Sequence, residues 1–200
     1  GFPLVICIVL AVIIGLIFGA FNGWLVAYQS VPAFIVSMAS MNIAKGIAAV
    51  FTKTQSQSWP LSTDPVNGWF RNLISYKGFP VGLVVFLLVA ALCSCILYNT
   101  KAGRYILCLG SNREAVRLSG VDIKRWEMLA YVICGLLVGL ASVYFVACYT
   151  TVQPGYGDQY NNEAIAGCVM GGTSMVGGLA SILGTVIGVS IISMLQEGLL

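Results

Sequence analysis

The chain has 200 residues, 58% of them apolar and only 8% charged, against about 25% charged in an average soluble domain. A soluble domain this poor in charge cannot cover its own surface, and apolar runs near the roughly 20 residues that cross a bilayer as helix recur along it. The composition excludes a disordered chain, a nucleic-acid binder and a secreted disulfide scaffold. It predicts an all-α, polytopic membrane helical bundle. The chain has no histidine, which removes His-based zinc sites, triads and proton relays, and most of its seven cysteines lie within apolar runs, where free Cys acts as a small hydrophobe.

The chain begins at Gly1, without Met and without the basic n-region and cleavage site of a signal peptide, the pattern expected of an internal fragment or of a chain trimmed at its N-terminus. The first span is predicted over about 3–21, with Gly15, Gly19 and Gly23 at the four-residue spacing that lets helix backbones approach closely in lipid. Val31-Pro32 opens a second span, about 33–51, because Pro suits a first helical turn. Ser37, Ser40, Asn42 and Lys45 make it unusually polar. Lys45 either faces a bundle interior or cavity or snorkels to the interface. Residues 52–78 form a long polar stretch with Trp59, Trp69 and Phe70, expected at the outer interface.

A third span is predicted over about 79–98, a fourth over 128–149 with Gly135 and Gly139, and a last over 181–197 with Ala180, Gly184 and Gly188. Between the last two, 163–176 is too short for a full crossing, since 14 residues of helix rise only about 21 Å, and Gly171-Gly172-Thr173-Ser174 and Gly177-Gly178 interrupt it. It is expected as a short broken crossing or a re-entrant element, with protein or a polar pathway around it.

The whole net charge of +3 sits in one loop, 99–127, where Lys101, Arg104, Arg113, Arg117, Lys124 and Arg125 face Glu114, Asp122 and Glu127. The loop at 150–162 has no Lys or Arg, so the basic loop is expected on the cytoplasmic side. Within it Ser111-Asn112-Arg113-Glu114 has the spacing of a capping box, with Ser111 at the N-cap. A short helix over 113–118 would end at Ser119-Gly120 with Gly in the C′ role, and Asp122 would cap the next helix. Ala115 and Leu118 offer apolar contacts on this short helix, so the loop is expected to dock a partner as well as set orientation.

Gly103-Arg104-Tyr105 followed by the run from Gly110 to Gly120 resembles the cytoplasmic signature of ribose/galactose-type ABC transporter permeases, within the branched-chain amino-acid permease superfamily. Asn22-Gly23 with Val31-Pro32-Ala33-Phe34-Ile35-Val36, then Lys45-Gly46, and then Gln153-Pro154, Glu163-Ala164-Ile165-Ala166, Gly171-Gly172-Thr173-Ser174, Gly177-Gly178 and Gly184-Thr185 agree in order and spacing. Leu179-Ala180, where the family often has Arg-Gly, and Asn161-Asn162-Glu163, with one carboxylate fewer than usual, depart from it. The resemblance implies that 1–200 is one incomplete transmembrane permease domain in the cytoplasmic (inner) membrane, with helices missing at both ends.

It further implies a second permease subunit (homo- or heterodimer), cytoplasmic ATP-binding subunits that hydrolyse ATP, and an extracytoplasmic solute-binding protein. The ATPase-coupling helix then maps onto Asn112, Arg113, Glu114, Ala115, Arg117 and Gly120. A neutral, hydroxyl-rich solute asks for a polar, weakly charged pathway, for which Ser37, Ser40, Asn42, Lys45, Thr173 and Ser174 are candidates. No phosphate-loop motif, metal-ligand cluster or nucleophile–base pair is legible in the chain, so no cofactor, metal or catalytic residue is expected and the chain itself is not expected to be an enzyme. Competing readings are an ion-coupled secondary transporter, disfavoured because only Glu163 and Glu197 approach the spans, and an ABC permease for branched-chain amino acids.

Overall fold

The structure is a computed structural model that describes residues 4–58, 81–149 and 151–199. The stretch with Trp59, Trp69 and Phe70, predicted at the outer interface, lies outside the described residues. The described chain is almost wholly helical: α1 (Leu4–Ala27), α2 (Ala33–Thr52), α3 (Val81–Asn99), α4 (Lys101–Ser111), α5 (Arg113–Leu118), α6 (Ile123–Cys148), α7 (Asp158–Met170) and α8 (Ile182–Leu199), with two-residue strands β1 (Gln57–Ser58) and β2 (Thr151–Val152). Helices α1, α2, α3 and α6 are long and apolar enough to cross a membrane, and α8 adds a shorter apolar helix. Their exposed surfaces carry Val, Ile, Leu and Phe side chains throughout, as lipid-facing or helix-facing surface requires. The chain is an all-α, multi-pass membrane protein.

The fold divides into two compact units, one of residues 1–85 and 127–155, the other of 86–126 and 156–200. In the first, α1 runs antiparallel to α6 along the glycines that the sequence spaces four apart. A methyl group added at Gly15 would meet Gly135 O at 2.5 Å and Gly139 Cα at 2.9 Å, and one at Gly19 would meet Gly135 Cα at 2.9 Å. Lipid tails are as apolar as Leu, so helices associate in a membrane through such close van der Waals packing rather than hydrophobic burial. At the far end Leu4 and Ala147 are buried together with Ile8, Val143 and Val146 around them.

Helix α2 starts at Pro32, whose carbonyl accepts from Ile35 and Val36 N–H (3.0 and 3.2 Å). It ends in a Schellman arrangement: Lys53 turns left-handed (φ 52°), its N–H reaches Val50 O, and Thr54 N–H reaches Ala49 O at 3.0 Å. The link that follows then pairs Gln57 with Val152 and Ser58 with Thr151, antiparallel. That ladder ties the exit of α2 to the exit of α6, so both helices end at the same end of the unit.

In the second unit, α4 follows α3 directly. Thr100 Oγ1 donates to Ile96 O (2.6 Å) and accepts from Gly103 N–H (3.3 Å), which closes one helix and caps the next. Residues 99–112, expected as loop, instead hold the helix α4. Lys101, Arg104 and Ser111 alternate there with Tyr105, Ile106, Leu107 and Leu109, an amphipathic pattern over only 11 residues. Helices α7 and α8 fold back on one another, with Gly171 against Gly184 and Gly167 against Gly188 and Val189, and Thr173 Oγ1 lies 3.3 Å from Thr185 Oγ1.

Helix α7 begins at Asp158, inside the segment expected to be polar loop. Its 13 residues rise about 20 Å, short of a hydrocarbon core about 30 Å thick. It stops at Gly171, and the second half of the predicted 163–176 element is a turn, with Gly172, Gly177 and Gly178 at φ of 85°, 98° and 84°.

Candidate functional site

The segment expected as the coupling helix lies at the junction of α4 and α5. Asn112 is extended (φ −154°, ψ 98°) and breaks the helix between Ser111 and Arg113. Its Oδ1 accepts from Glu114 N–H and Ala115 N–H, both at 3.1 Å, satisfying two donors that a helix start leaves orphaned. This corrects the predicted capping box. Ser111 is the last residue of α4, the cap is Asn112, and Glu114 sits one position too early to reach back. Glu114 instead accepts from Arg117 Nη2 at 2.6 Å. At the other end Ser119 N–H bonds Ala115 O, Gly120 N–H bonds Arg117 O, and Gly120 holds φ 76°. Asp122 Oδ1 then accepts from Arg125 N–H at 3.4 Å at the start of α6.

The resulting helix has two sides. Val116 is buried and seats it on the rest of the unit, while Asn112, Arg113, Glu114, Ala115 and Arg117 are exposed and Leu118 is 81% exposed. An outward surface of two arginines, a carboxylate and an uncovered Leu beside Ala is suited to a protein partner: charge for register, an apolar knob for affinity. Leu118 shares this outward side with Ala115.

The segment is also braced from behind. Gly110 lies backbone to backbone against Gly177 and Gly178, and a methyl group at Gly177 would meet Gly110 Cα at 2.9 Å. Gly178 packs on Ser111, where an added methyl would come within 3.0 Å of its Cα. Tyr98 Oη donates to Ala180 O at 3.1 Å, and the rings of Tyr105 and Trp126 pack tilted at 46°, with centroids 5.0 Å apart.

The predicted pathway residues divide. Ser37 and Ser40 line a groove of about 390 Å³ in the first unit, between α1, α2 and α6. Asn42 is not among its lining residues: its Nδ2 donates to Met38 O (2.9 Å) on its own helix. Lys45 is half-buried and likewise not among them. Thr173 and Ser174 belong to the second unit, in the glycine turn, where Ser174 Oγ accepts from Val176 N–H at 3.3 Å. Two further polar residues, Asn22 and Ser142, line the same groove. The signal for Asn22 is in the sequence: an amide inside the otherwise apolar run of α1.

A family model for the permease component of branched-chain amino acid transport systems matches residues 1–200. The chain belongs to that family. Among the curated permeases similar to it are the ribose import permease protein RbsC of Escherichia coli (strain K12), 34% identical over 195 residues, and that of Haemophilus influenzae, 32% identical over 205 residues. These matches cover 97% and 98% of the chain but only 60% and 61% of the relatives' length. The xylose transport system permease protein XylH of Escherichia coli (strain K12) is 28% identical over 258 residues, covering the whole chain and 65% of that protein. No solved structure matches the permease chain. The resemblance read from the residue blocks thus names the right family.

Proposed function

We propose that this permease chain is the membrane subunit of an ATP-driven importer in the cytoplasmic (inner) membrane, carrying a monosaccharide of the ribose type. The observation that carries the reading is the capped, outward-facing α5 in the single basic loop, in a chain similar to permeases named for ribose and xylose. ATP is hydrolysed on separate cytoplasmic subunits that grip Arg113, Glu114, Ala115, Arg117 and Leu118. A second permease subunit completes the pathway, and an external binding protein delivers the solute.

The coupling route follows the packing. Asn112 joins α5 to α4 with no flexible linker, and α4 ends against the turn between α7 and α8. A displacement of α5 by the ATPase therefore reaches the turn at 171–181 through backbone contact at Gly110. The turn lies at the cytoplasmic end, next to the basic loop, and α7 makes a short, broken crossing towards it.

The test is uptake by proteoliposomes holding the permease, its ATPase and its binding protein. Labelled ribose, xylose or galactose enters when ATP is present and continues when the proton gradient is collapsed. Uptake that stops with the gradient returns the ion-coupled reading, and leucine uptake without sugar uptake returns the amino-acid one.

A further inference from the structure

The first turns of α4 carry positive charge that no described residue neutralises. Lys101 and Arg104 stand one helical turn apart on the same side, and both are exposed. Cys108 and Ser111 continue that exposed stripe, while Tyr105, Ile106, Leu107 and Leu109 are half-buried. Helix α4 contains no Asp or Glu. The nearest carboxylates along the chain are held by other arginines, Glu114 by Arg117 and Asp122 by Arg125. Among the described residues neither Lys101 nor Arg104 forms an ion pair.

The patch begins where a span ends. Helix α3 is long and apolar enough to cross a membrane, and extended Thr100 (φ −102°, ψ 158°) separates it from α4. Tyr98 sits in the last turn of α3, and the rings of Tyr105 and Trp126 pack together where α4 meets the start of α6. Tyr and Trp concentrate at membrane–water interfaces, where one end of the ring is apolar and the other wet. A groove of about 510 Å³ runs from this level between α3 and α8. Leu87 and Ala91 of α3 and Leu183 and Val186 of α8 line it, with Tyr98 and Asn99 at the end that meets Lys101. From Leu87 to Asn99 it follows α3 for about 18 Å, close to one leaflet of a hydrocarbon core about 30 Å thick.

Two exposed cations side by side call for an anion, and the groove narrows its chemistry. A free phosphate or an acidic peptide would use the charges and leave the groove unused. A phospholipid uses both: its phosphate meets a guanidinium fork and an ammonium, and its acyl chain lies along an apolar cleft of leaflet depth. A zwitterionic headgroup brings a cation of its own against Lys101 and Arg104, whereas an anionic one brings none. We propose that Lys101, Arg104 and the α3–α8 groove hold one anionic phospholipid, its headgroup on the two basic side chains and an acyl chain in the groove. With the basic loop on the cytoplasmic side, the leaflet concerned is the inner one, which carries such lipids. Binding of this kind is independent of the solute that the permease carries.

The test uses the purified full-length permease in detergent, with dioleoyl-phosphatidylglycerol and dioleoyl-phosphatidylcholine as probes. Native mass spectrometry over a lipid titration counts what is retained. Phosphatidylglycerol should be retained in preference to phosphatidylcholine. Lys101→Gln combined with Arg104→Gln should weaken its binding about thirtyfold, at about 1 kcal/mol per basic residue and 1.4 kcal/mol per tenfold. The melting temperature in phosphatidylcholine should stay as in wild type. Ala91→Phe, which fills the groove and keeps both charges, should weaken phosphatidylglycerol binding as well. Arg113→Gln combined with Arg117→Gln removes the same charge from the same loop and should leave that binding intact. Equal retention of the two lipids overturns the proposal, as does wild-type binding by the Lys101/Arg104 variant or by the Ala91 variant. An equal loss in the Arg113/Arg117 variant also overturns it, because the net charge of the loop rather than a site then attracts lipid. Displacement of the lipid by millimolar inorganic phosphate overturns it in favour of a free anion.

Discussion

Asn112 does two things that Ser111 cannot do in its place. Its extended backbone ends α4, and its side-chain oxygen reaches two amide protons of α5 at 3.1 Å. Replacing an N-cap Asn by Ala typically costs about 1 kcal/mol, so Asn112→Ala should loosen α5, and Asn112→Asp should keep it closed. Tryptic cleavage after Arg113 and Arg117 in membrane vesicles measures this, with about fivefold faster cutting expected in the Ala variant. The Glu114–Arg117 pair is exposed at both ends and stabilises α5 by only a few tenths of a kcal/mol. Reversing Arg113 and Glu114 together, or Ala115→Glu, should separate ATP hydrolysis from uptake while membrane insertion stays normal. Unchanged uptake together with unchanged co-purification of the ATPase would remove α5 from the coupling role.

Among the elements, the pair α1 and α6 depends on glycine most directly. At Gly135 an added methyl would press on Gly19 Cα at 2.8 Å and on the backbone of Gly15. Neither neighbour is a side chain that can swing away. Gly135→Leu should therefore force the helices apart and lower the melting temperature of the detergent-solubilised permease by several degrees. Gly46→Leu, where an added Cβ meets nothing within 4 Å, should leave it unchanged. The glycine spacing that marks these faces is legible in the sequence, because small residues every four positions let helix backbones approach closely in lipid. Which faces meet is not legible, since α1 (Leu4–Ala27) and α6 (Ile123–Cys148) are far apart in the chain. Helix α4 escapes sequence reading for another reason. It is too short for the apolar run of a span, and its basic residues carry the same signal as an orientation loop.

Across the molecule, the basic loop and the glycine turn are two signals that the sequence keeps about 60 residues apart and that one contact joins. Gly178→Val combines a φ of 84° that a branched residue avoids with a Cβ too close to Ser111. On the proposed importer function it should uncouple transport, read as ATPase activity that persists while sugar uptake falls. Ser174→Cys in a permease without other cysteines tests where the turn lies: the cytoplasmic placement requires labelling by a membrane-impermeant maleimide in inside-out vesicles and none in right-side-out ones.

Composition, apolar run length and the residue blocks between Ala20 and Leu200 determined on their own that this is a helical membrane permease, and they named its family. These signals are local: span length answers to bilayer thickness, and a motif is contiguous in the chain. The tertiary structure alone decided which residue caps α5, that α7 starts at Asp158 and turns back at Gly171, and that Asn22 and Ser142 share a groove with Ser37 and Ser40. Capping depends on one pair of dihedral angles, and a groove depends on which distant helices meet. A bare sequence shows that Asn22 is polar; the packing of three helices around it buries its carbonyl oxygen without a donor among the described residues.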